Sequence, residues 1–93
     1  MTFAENLRRF RLEQFLSQRE LARRAGVHAI TIVRLEAGAT APTTRSVRAL
    51  ATALGVEPRD LTTPEEVAEL RRVLKAAAEP QATRQPTEAP RET

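Results

Sequence analysis

Gln18-Arg19-Glu20-Leu21-Ala22-Arg23-Arg24-Ala25-Gly26-Val27-His28-Ala29-Ile30-Thr31-Ile32-Val33-Arg34-Leu35-Glu36-Ala37-Gly38 is the stretch that decides the fold. Its apolar residues fall at Leu21, Ala25, Val27, Ile32 and Leu35, a helical spacing interrupted at Gly26. Two helices that cross steeply need a small residue where their axes approach. The tight turn between them needs a residue that tolerates positive φ. Ala22 meets the first need and Gly26 the second. The stretch therefore predicts two short helices, roughly over residues 18–25 and 29–37, with Gly38 just past the end of the second.

Working outward, three further signals mark helix starts. Thr2 with Glu5, Ser17 with Glu20 and Thr63 with Glu66 each place a hydroxyl at the N-cap and a carboxylate three residues on. Such a capping box satisfies two backbone N–H groups that the helix cannot pair itself. The first helix then covers roughly residues 3–14, with Phe3, Leu7 and Phe10 on one face. A fourth starts near Thr43 or Thr44 after Pro42, turns Val47, Leu50, Ala51 and Leu54 inward, and ends before Gly55. A single helical turn follows at Pro58–Leu61, with proline in the first-turn position it tolerates. The last predicted helix covers residues 64–78 and stops at Pro80. Its Val67, Leu70, Leu74 and Ala77 follow a 3-4-3 spacing, an a/d seam two heptads long. That seam closes either on helices 1 and 4 of its own domain or on the same helix of a second chain; the second is the favoured expectation. Residues 80–93 carry Pro80, Pro86 and Pro90 among Gln, Thr, Glu and Arg, with no large apolar residue. They cannot bury enough surface to offset their ordering entropy and are expected to be disordered.

A steep helix pair with this register is the helix-turn-helix pattern, in which the second helix enters the DNA major groove. The match to a known family runs further. Leu7-Arg8-Arg9-Phe10-Arg11, Leu16-Ser17-Gln18 with Glu20-Leu21-Ala22, Ile32 with Arg34-Leu35-Glu36 and Gly38, Pro42, Ala49-Leu50-Ala51, Ala53-Leu54-Gly55-Val56 and Leu61 carry it. From Phe3 to about Thr62 the chain resembles the XRE family, the helix-turn-helix domains of the lambdoid phage repressor and Cro type. The resemblance implies an all-α fold, a compact bundle of about five helices that binds operator DNA as a dimer. The expected organisation is a DNA-binding domain over residues 1–62, an amphipathic helix over 63–79 and a tail over 80–93.

Composition agrees with that reading and narrows it. Ninety-three residues allow one domain at most, and 41% apolar residues suffice for a small helical core. The chain has no cysteine, so it has neither a disulfide framework nor thiol chemistry, which fits the cytoplasm. His28 is its single histidine, so a His-rich metal site is excluded. No apolar run approaches the ~20 residues of a membrane span, and the N-terminus lacks a signal-peptide pattern. Residues 1–62 carry ten arginines against six carboxylates, net +4, whereas residues 63–93 are net −1. The positive charge therefore lies in the domain that resembles a DNA binder, with the sign that attraction to phosphate requires.

On a helical wheel the second helix of the motif turns Ile32 and Leu35 inward. Ile30, Arg34 and Ala37 lie opposite, Val33 beside them, and His28, Ala29 and Thr31 near the N-terminal end. On the functional reading, Ile30 and Val33 contact thymine methyl groups while Arg34 bonds a guanine or a phosphate. The alternative is that the apolar pair packs on another protein surface or on the last helix. Gln18 opens the first helix of the motif, and the resemblance implies that it holds a backbone phosphate. Free N–H groups and the positive dipole end favour an anion there, and Arg19 sits beside it. Thr44 and Arg45 could supply a second phosphate clamp. The resemblance also implies an ion pair between Arg11 and Glu36.

Three residues or segments depart from the family pattern. Phe15 stands where a glycine commonly ends helix 1, and a bulky residue disfavours positive φ. The turn is therefore expected to differ, or Phe15 to cover an apolar patch. The loop Ala39-Thr40-Ala41 is neutral where relatives are often basic. His28 takes an N-cap position where relatives often have Ser or Thr. The leading functional expectation is a homodimeric repressor that reads operator DNA, without cofactor and away from membranes. The second is a protein-interaction module of antitoxin type, whose partner would be a toxin or a component of the transcription machinery. An enzyme has no support: there is no nucleophile–base pair, phosphate loop or metal cluster.

Overall fold

Four of the helices in the computed structural model begin at a Ser or Thr (Thr2, Ser17, Thr43 and Thr63) whose hydroxyl accepts from a first-turn amide. The elements are α1 (Phe3–Glu13), α2 (Gln18–Ala25), α3 (Ala29–Glu36), α4 (Thr44–Leu54), α5 (Pro58–Leu61) and α6 (Pro64–Arg91), with no strand among the described residues. The structure describes the backbone of residues 2–91 and the side chains of residues 2–77. Complete capping boxes form at Thr2 and Ser17. At α4, Thr43 Oγ1 accepts from the Ser46 amide at 3.0 Å. His28 occupies the N-cap of α3 without a side-chain bond to it.

The inward faces meet in one core. Phe3 and Leu7 of α1, Leu21 and Ala22 of α2, Ile32 and Leu35 of α3, Val47, Leu50, Ala51 and Leu54 of α4 and Leu61 of α5 are buried together, with Leu16 from the first loop. Burying a side chain of leucine size contributes about 1.5–3 kcal/mol. This core therefore holds α2 and α3 at a fixed crossing and leaves the outer face of α3 in solvent. Gly26, at φ 72, makes the turn between them, and Val27 N donates to Ala22 O at 3.0 Å across it.

The turn after α1 has the same construction without a glycine. Phe15 sits at φ 57, Phe15 N donates to Leu12 O at 3.0 Å, and Leu16 N donates to Arg11 O at 3.1 Å. The expected alternative turn is therefore absent. The expected apolar cover is absent too, because Phe15 is 93% exposed. The buried flanks Arg11 and Leu16 fix the path, and the chain absorbs the strain at Phe15. A left-handed non-glycine residue costs roughly 1–2 kcal/mol, and glycine entropy returns part of that. Phe15→Gly should thus stabilise the domain by about 1 kcal/mol and raise its melting temperature by about 4–8 °C. A thermal melt followed by circular dichroism checks this. An unchanged or lower midpoint would mean that Phe15 makes a stabilising contact.

α6 departs from the sequence reading at its start. Thr63 Oγ1 accepts from the Glu66 amide at 3.2 Å, but the Glu66 carboxylate does not close the box. Instead it accepts from Phe3 N at 3.0 Å and from Thr62 Oγ1 at 2.6 Å, which ties the start of α6 to the start of α1. Arg71 Nη2 adds a bond to Pro42 O at 3.1 Å. Val67, Leu70 and Leu74 are half-buried, while Ala77 is exposed and Val73 is 53% exposed. The predicted seam is thus divided, its first turns shared with the chain's own domain. The helix end expected at Pro80 and the disorder expected for residues 80–93 lie beyond the residues whose side chains are described.

Candidate nucleic-acid interface

The outer face of α3 is exposed and mixed in character. Ile30 is 50% and Val33 40% exposed, Arg34 lies in solvent, and His28 is exposed at the N-terminal end. Ala29 and Thr31 are half-buried. Two apolar side chains beside one guanidinium suit a base edge, where a thymine methyl and a guanine acceptor lie within one helix width. Thr44 and Arg45 are exposed on the first turn of α4, which packs against α2.

At the start of α2 the capping box consumes the amide of Glu20, bonded to Ser17 Oγ at 3.0 Å. The amides of Gln18 and Arg19 have no partner among the described residues. They remain for an anion, with the exposed Arg19 side chain beside them. The Ser17 amide, and then its hydroxyl, hold the Glu20 carboxyl below its ordinary range.

Behind this end lies a polar network that joins three segments. Arg11 of α1 grips Glu36 at the end of α3 bidentately: Nε donates to Oε2 at 2.6 Å and Nη2 donates to Oε1 at 2.9 Å. Arg11 Nη1 also donates to Leu16 O at 2.8 Å. The pair is sheltered, with side chains 10% and 6% exposed. The hydrogen bond to Glu36 raises the Arg11 pKa further, so the guanidinium stays charged. The half-buried Gln18 joins the network, its Nε2 donating to Glu36 Oε1 at 3.1 Å.

From the sequence, Arg11 and Glu36 were paired and Gln18 stood apart; the structure joins Gln18 to that pair. It does not bring Thr44 or Arg45 into that network. The reading also missed Gln14 Nε2 on Leu54 O at 2.6 Å and Asn6 Nδ2 on Leu61 O at 3.0 Å. Each amide caps the last residue of a helix, Leu54 of α4 or Leu61 of α5, and no local spacing marks a partner 40 or 55 residues away. Among the described residues there is no metal-binding group of His, Cys, Asp and Glu, and no helix long and apolar enough to cross a membrane.

Comparison with known proteins places this geometry. The Helix-turn-helix family model matches residues 7–61, more than half of the chain. Among solved structures, the restriction-modification controller protein C.AhdI from Aeromonas hydrophila is similar at 36% identity and a TM-score of 0.62. The match covers 63% of this chain and 89% of that one. No curated protein matches the sequence.

Proposed function

The chain belongs to the XRE family of helix-turn-helix DNA-binding regulators, and from that premise we propose that it is a homodimeric repressor reading operator DNA with α3. The observation that carries this reading is the exposed face of α3, where Ile30 and Val33 flank Arg34 on a helix whose other side is locked in the core. In this reading Ile30, Val33, Arg34, Ala29, Thr31 and His28 meet base edges or the groove walls. Gln18 and Arg19 hold one backbone phosphate, and Thr44 and Arg45 hold another. The similarity to a restriction-modification controller protein supports a regulatory role. Dimerisation through the open part of the α6 stripe would set two α3 helices about 34 Å apart, one turn of DNA.

Base contacts and phosphate contacts separate in one experiment. Arg34→Ala should weaken binding to a duplex selected from a random pool by about 1–3 kcal/mol, with little effect on random-sequence duplex. Arg19→Ala should weaken both alike and reduce the salt slope by about one. Fluorescence anisotropy at several salt concentrations reads both. Undiminished binding by Arg34→Ala would remove α3 as the reading element. Binding seen only with a co-purified protein would favour the interaction-module reading instead.

A further inference from the structure

The amide of Gln18 does not hang free at the start of α2. Its Nε2 donates to Glu36 Oε1 at 3.1 Å, the same oxygen that accepts Arg11 Nη2 at 2.9 Å. A carboxylate only accepts, so it selects the NH₂ end of the amide and fixes which way the group is turned. One hydrogen of that nitrogen is engaged, and the other has no partner among the described residues. A free glutamine loses rotamer freedom when it presents its NH₂ to a phosphate. Held by Glu36, it offers a hydrogen. An unpaired carboxylate here would repel a phosphate, but Arg11 neutralises this one through both oxygens.

We propose that Glu36 is a positioning residue for DNA binding: paired with Arg11, it orients the Gln18 amide as a donor to a backbone phosphate at the α2 N-terminus. The last residue of α3 then couples the helix that reads bases to the group that fixes its register on the backbone. This rests on the reading of Gln18 as a phosphate contact.

The test is a double-mutant cycle on affinity for a duplex selected from a random pool by the wild-type protein. Gln18→Ala should weaken binding about tenfold, the loss of one hydrogen bond to a charged acceptor. Glu36→Asp keeps the charge for Arg11 but shortens the reach to Gln18, and it should weaken binding about three- to tenfold in the wild-type background. In the Gln18→Ala background the Glu36→Asp loss should vanish. Melting temperatures confirm that each variant is folded at the assay temperature. If Glu36→Asp is unfolded there, Glu36→Gln takes its place in the cycle. A loss at Glu36 that persists in full without Gln18 would make the residue merely structural and overturn the proposal. A neutral Gln18→Ala would instead overturn the phosphate reading on which it rests. In the free protein, the side-chain amide resonances of Gln18 should shift in Glu36→Asp; unmoved resonances would also contradict the bond.

Discussion

Glu36→Ala should lower the melting temperature by more than about 12 °C. The substitution strands Arg11, whose side chain is only 10% exposed and which loses both bonds of its bidentate grip. Breaking a buried pair by removing one partner costs roughly 3–5 kcal/mol, because the remaining charge stays desolvated. In a domain of this size each kcal/mol moves the midpoint by about 4–8 °C. The exposed pair Arg9–Glu13, with side chains 41% and 55% exposed, provides the contrast. Arg9→Ala should cost about 0.5 kcal/mol or less, since solvent screens that pair. A further variant separates the pair's net worth from the cost of breaking it. Arg11→Met with Glu36→Leu should recover much of the stability lost in Glu36→Ala, as apolar replacements of buried pairs often do. A Glu36→Ala midpoint equal to that of Arg9→Ala would mean that solvent reaches the Arg11 guanidinium freely.

Changing Leu70 and Leu74 together to glutamate should give a folded monomer that binds a palindromic site on the order of 100-fold more weakly. Half of the α6 stripe faces its own domain, yet the helix is anchored there by polar bonds. Glu66 holds Phe3 N and Thr62, and Arg71 holds Pro42 O. Those bonds survive the double substitution. The half-buried Leu70 and Leu74, with the exposed Val73 and Ala77, make up the stripe a second copy would cover. A lone recognition helix reads few base pairs, so uncoupling two of them removes the gain from simultaneous binding. Sedimentation equilibrium gives the mass, and titration with the palindrome gives the affinity. Unfolding of the variant would place the stripe in the monomer core; an intact dimer would place the contact elsewhere.

The parts of the fold that obey local rules were legible in the sequence. Ala22, Gly26 and the alternating apolar residues defined the α2–α3 crossing because one small residue and one positive-φ residue suffice to build it. At Thr2 and Ser17 the box formed as the local pattern requires, each carboxylate accepting from its own N-cap amide. At Thr63 the same local pattern yielded to a tertiary one: the Phe3 amide and the Thr62 hydroxyl took the Glu66 carboxylate. Phe15 misled for a related reason. A strain of order 1 kcal/mol reads as a prohibition locally, but the buried residues on both sides outweigh it. The Arg11–Glu36 pair came from family resemblance alone, because no spacing rule joins residues 25 apart. The bond from Gln18 to that pair lay beyond both kinds of reading. It depends on where three helix ends converge. The seam of α6 stayed ambiguous because one stripe of leucines serves an intramolecular or an intermolecular contact equally well.

Selection of bound duplexes from a random pool shows most directly whether α3 reads DNA sequence. Two inverted half-sites about one helical turn apart should be enriched. Binding to them should fall steeply with salt, and selection repeated with Arg34→Ala should relax one position in each half-site. A pool that stays random at every salt concentration, or an enriched site indifferent to changes at Ile30, Val33 and Arg34, would contradict base reading by α3.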